Sequence, residues 1–88
     1  KTAAQTYADR RADVEAIIAA IQMELDADEV ETPHWGHVGD MAATQRRLTE
    51  VLAAMLIGRN DWEEAEAAEH IETYLDDLRA DREARAQA

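Results

Sequence analysis

Apolar residues recur along this chain at helical intervals. Over residues 3–30, Tyr7, Val14, Ile18, Ile21 and Leu25 follow one another at seven, four, three and four residues, and Ile17 widens the stripe. No glycine or proline interrupts the run, and alanine, the strongest helix former, fills much of the remainder. Thr32-Pro33 stops it, because the residue before a proline is driven out of helical geometry. Asp26, Asp28, Glu29 and Glu31 crowd this end, where the helix dipole disfavours negative charge. The pattern alone offers no account of them.

A second helix is expected over 33–57. Val38, Met41, Leu48, Leu52 and Met55 form its stripe, Gln45 is the polar exception, and Val51 and Leu56 widen the apolar arc. Gly58 suits the position just past a helix end, with Arg59 placed to meet the last carbonyls. The start, TPHWGHVGD at 32–40, reads in two ways. As a loop it uses Gly36 and Gly39 for unusual backbone angles, and Asp40 caps a helix beginning at Met41. As helix, Thr32 is the cap and Pro33 the first residue, a pairing that helices favour. Trp35 and Val38 then carry the stripe backwards, and the glycines bare a small face for a close neighbour. The unbroken apolar period favours the helix.

The third helix is expected over 61–84. Asn60 followed by Glu63 matches a capping box, and Ala68, Ile71, Leu75 and Leu78 give a buried stripe flanked by Tyr74. Beyond Leu78 the apolar signal stops. Asp81 and Arg85 form an i, i+4 pair, and 81–88 reads as a frayed or projecting tail. With no strand pattern anywhere, the expectation is all-α: one domain over 1–88, a three-helix antiparallel bundle.

Composition adds an association. Of 88 residues, 22 are large and apolar, and the other 19 apolar residues are alanine. At roughly 25 cal/mol per Å² of buried apolar area, such a core barely offsets about 1.5 kcal/mol per residue of ordering entropy. Pairing with a second copy supplies further burial, so a homodimer is expected, with Val38, Met41, Leu48, Leu52 and Met55 as its interface.

Charge narrows the partners. Residues 1–31 carry eight acids and three bases, net −5; residues 32–60 carry two and three, net +1; residues 61–88 carry ten and three, net −7. The total of −11 argues against phosphate backbones and anionic membranes, which recruit clustered Lys and Arg. Arg46-Arg47 is the only basic pair in the middle segment, too little for a DNA-reading helix. The absence of cysteine excludes disulfides and thiolate metal sites. No apolar run approaches the ~20 residues of a membrane span, and no signal peptide is visible, so a cytoplasmic location is expected.

Three candidate sites follow. His34 and His37 share a helical face that Asp40 continues, and imidazole with carboxylate suits zinc or iron. The spacing matches neither HExxH nor a paired Glu-x-x-His set, since Ala67 stands three before His70, so no metal or other cofactor is expected. Trp35 and Trp62 are read as plugs at opposite ends of the bundle, yet an exposed Trp35 beside His34 and His37 is a partner-binding anchor. Finally, the acidic flanks resemble the carboxylate rows with which proteins mimic DNA. No activated nucleophile or phosphate loop is present, and little room is expected for a pocket of about 300 Å³, so the chain is read as non-enzymatic. It is expected to be a protein-interaction module, with DNA mimicry and metal binding as alternatives.

Overall fold

The computed structural model describes residues 1–87. The chain is all-α, with three helices and, among the described residues, no strand: α1 (Ala3–Ala27), α2 (Trp35–Asn60) and α3 (Glu64–Gln87). It divides into two units, one ending at Pro33 with α1, the other opening at His34 with α2 and α3.

In the first unit, α1 opens on a reciprocal capping box. Thr2 Oγ1 accepts from the Gln5 N–H at 3.1 Å, and Gln5 Oε1 accepts from the Thr2 N–H at 2.8 Å. Lys1 pairs with Asp9, and Arg11 with Glu15 at 3.1 Å. The helix ends at Ala27, short of the expected residue 30, with the Asp28 N–H closing on Glu24 O at 2.9 Å. Asp28 is therefore the cap, and Glu29 and Glu31 lie beyond the helix, while Asp26 remains in its last turn. α1 buries none of its residues, and its large apolar side chains are between 37% and 71% exposed.

In the second unit, α2 and α3 pack together as in a helical bundle. The half-buried row on α2 is Thr49, Ala53 and Ile57, with Leu56 beside it; on α3 it is Ala67, Ile71 and Leu75. Both rows are spaced by four, the natural ridge on a helix surface. Among the described residues only Ala67, fully buried, and Ile71, 3% exposed, are buried. Two expectations are corrected here. Ala67 rather than Ala68 faces inward, because the row runs back from Ile71 by four residues; and Leu78 is exposed, because the contact is strongest in the first turns of α3.

The boundaries between α2 and α3 also shift. α2 continues through Gly58 to Asn60, three residues past the expected end at 57, because Gly58 keeps an ordinary negative φ. The left-handed residue that stops the helix is Asp61, φ 56° and ψ 39°, and Asn60 Nδ2 donates to Leu56 O at 3.1 Å. The Asn60–Glu63 box does not form, since Asn60 is still helical. Glu63 O instead accepts from the Ala67 N–H at 3.1 Å, so α3 starts at Glu64 rather than 61. It runs to Gln87 instead of 84, with Asp81 and Arg85 paired at 3.0 Å as expected.

Candidate functional site

The unusual stretch at the start of α2 is organised by its two histidines. His34, extended at φ −119° and ψ 175°, is the cap, so α2 begins at Trp35 and neither Thr32 nor Asp40 has the capping role. His34 Nδ1 accepts from the Gly36 N–H at 3.0 Å, and His37 Nδ1 accepts from the His34 N–H at 3.1 Å. The first helical bond follows, Val38 N–H to His34 O at 3.2 Å. The two rings lie against each other with centroids 3.7 Å apart, tilted by 30°.

This arrangement explains Gly36. A Cβ there would sit 2.7 Å from His34 Cε1 and 2.9 Å from Nδ1, so the missing side chain makes room for the capping ring. The expectation of a small face for a neighbouring helix is thus replaced at Gly36 by a local steric reason. Gly39 meets nothing within 4 Å of an added Cβ.

The same bonds bear on the metal alternative. A neutral imidazole that accepts at Nδ1 carries its proton at Nε2, leaving neither nitrogen with a free lone pair. His34 and His37 both accept at Nδ1, and Asp40 hydrogen-bonds to neither ring. Among the described residues no three His, Cys, Asp or Glu side chains converge as a metal site would need. His70 stands apart from them, against Trp62, with ring centroids 5.1 Å apart.

The two tryptophans differ. Trp62 is half-buried beside His70, and these two with Glu66, Glu69 and Thr73 line an open groove of about 350 Å³. The groove lies at the surface and is open to solvent. Trp35 is 85% exposed, so it plugs no core. Val38, Met41, Leu48, Leu52 and Met55 follow it along α2, each between 40% and 53% exposed. They lie about 100° around the helix from the row that meets α3, and so flank that contact rather than enter it. On α3 the acids are interrupted by arginine: Arg79 reaches Asp76 at 3.2 Å and Glu72 at 4.0 Å.

Reading the sequence found the residues of this stretch but missed how they act together. Histidine is not a common cap, so Thr32 and Asp40 drew attention first. The usable signal was a glycine two residues after a histidine, with a second histidine one residue later. Among the described residues no helix is long and apolar enough to cross a membrane. No protein-family model matches the chain, and neither a curated protein nor a solved structure is similar to it.

Proposed function

We propose that this chain is a small, non-enzymatic protein-interaction module of the cytoplasm whose first partner is a second copy of itself, joined through α2. The observation that carries the reading is the exposed stripe Val38, Met41, Leu48, Leu52 and Met55, which flanks the α3 contact on a helix that packs through a neighbouring face. An exposed apolar stripe in water is a usual mark of an interaction surface.

A second copy suits this surface for two reasons. Met41 and Met55 stand seven residues either side of Leu48. Two antiparallel copies about a two-fold axis at Leu48 therefore set Met41 against Met55 of the partner subunit, and the contact repeats itself by symmetry. Charge favours the same face. The 32–60 segment has net charge +1, against −5 and −7 for its flanks, so α2 approaches its own copy without opposing acid to acid. Trp35, with His34 and His37 beside it, is then the anchor for a different protein. DNA mimicry suits α3 less well, because Arg79 and Arg85 pair with acids along its second half.

Sedimentation equilibrium tests the reading. Leu52→Asp puts a charge in the middle of the stripe and lowers the apparent mass from that of two chains to that of one, with helicity retained. A parent protein that sediments as a folded monomer overturns self-association.

A further inference from the structure

We propose that the start of α2 is a pH-sensitive cap: its His34–His37 box closes only while both imidazoles are neutral, and acidification opens the first turn. The hydrogen bonds carry the inference. Both rings accept through Nδ1, His34 from the Gly36 N–H and His37 from the His34 N–H. A protonated imidazole has donors at both nitrogens and no acceptor. One proton therefore sets an N–H against an N–H where a hydrogen bond stood.

Two further effects have the same sign. The added charge falls on the positive end of the helix dipole, where a cation is disfavoured. Protonating both rings also leaves two cations stacked at a centroid separation of 3.7 Å. All three effects act against the closed cap once a ring is protonated, so acidification opens it.

No ion pair offsets this, and Glu31, three residues before His34, pairs with neither ring. Among the described residues neither ring enters an ion pair; the salt bridges join Lys1 to Asp9, Arg11 to Glu15, Arg79 to Glu72 and Asp76, and Arg85 to Asp81. Asp40, three residues after His37, is the nearest acid on α2 and hydrogen-bonds to neither imidazole. On α3, the helix packed against α2, the buried residues Ala67 and Ile71 lie near the connection, at the opposite end of α2 from the cap.

The chain holds its own control. α1 opens on the same reciprocal box built from Thr2 and Gln5, neither of which titrates, and its first turn closes with Thr6 N–H to Thr2 O at 3.0 Å. Amide exchange by NMR on the whole chain compares Thr6 with Val38. From about pH 7.5 to about pH 5.5, corrected for intrinsic exchange, Val38 protection falls about tenfold, the size of one lost cap, and Thr6 does not change. Imidazole ¹⁵N shifts at the higher pH give the Nε2–H tautomer for both rings. The double substitution His34→Ser, His37→Gln rebuilds the box in non-titrating form and abolishes the pH dependence at Val38. The proposal is overturned by Val38 protection that is equal at both pH values, by a pH dependence that survives the double substitution, or by an Nδ1–H tautomer in either ring.

Discussion

α1 and α3 are helices of similar length, 25 and 24 residues, and they make opposite use of their apolar side chains. α1 carries the richer stripe, with Ile17, Ile18, Ile21 and Leu25 in close succession, and buries none of it. α3 has only Ile71, Leu75 and Leu78 at matching spacing, yet it holds Ala67 and Ile71, the two buried residues among those described. The difference lies in the connection. Three residues join α2 to α3, and left-handed Asp61 turns the chain back so that Ala67 reaches α2 within one turn. A short closed loop costs little entropy and holds two helices close enough for a small contact to persist. Hydrophobic content alone does not decide which helix is buried.

The largest expected effect strikes the buried side of this comparison. Ile71→Ala removes a side chain that is 3% exposed from a contact with little to spare, at a cost of about 2–4 kcal/mol. Urea unfolding followed by circular dichroism should show an early transition for α2 and α3. A loss below about 0.5 kcal/mol would mean that Ile71 is not the centre of the contact. Asp61→Gly sharpens the role of the connection. A glycine takes the positive φ of 56° without a Cβ penalty, so stability should rise by about 0.5–1 kcal/mol, and a fall in the urea midpoint would contradict the account of the turn. The smallest effect belongs to α1. Ile18, 60% exposed, should tolerate Ile18→Ser with a change within about 0.5 kcal/mol. If that substitution costs as much as Ile71→Ala, the α1 stripe is covered in solution and the contrast between the helices disappears.

Much of the fold was legible from pattern. The all-α class and the existence of three helices followed from apolar spacing without a strand signal, and the Asp81–Arg85 pair followed from i, i+4 geometry. At both ends of α2 the boundary was misplaced because neither a glycine nor a proline set it. Asp61 took the role expected of Gly58, and His34 the one expected of Thr32. Capping depends on which acceptor reaches a free N–H, and His34 reaches one here where Gly36 has no Cβ to obstruct its ring.

The amino-acid sequence by itself determined that this protein is helical, acidic at both flanks and nearly neutral in the middle, since propensity, period and charge are local properties of the chain. Only the tertiary structure decided which face of α2 meets α3, because two apolar faces about 100° apart are both compatible with the same period. It also decided that Ala67 enters the contact while Leu48 and Leu52 stay in water, since a close approach near a tight connection selects small residues. And it decided that His34 and His37 close a helix start with both Nδ1 atoms, because that depends on ring orientation, which no spacing records.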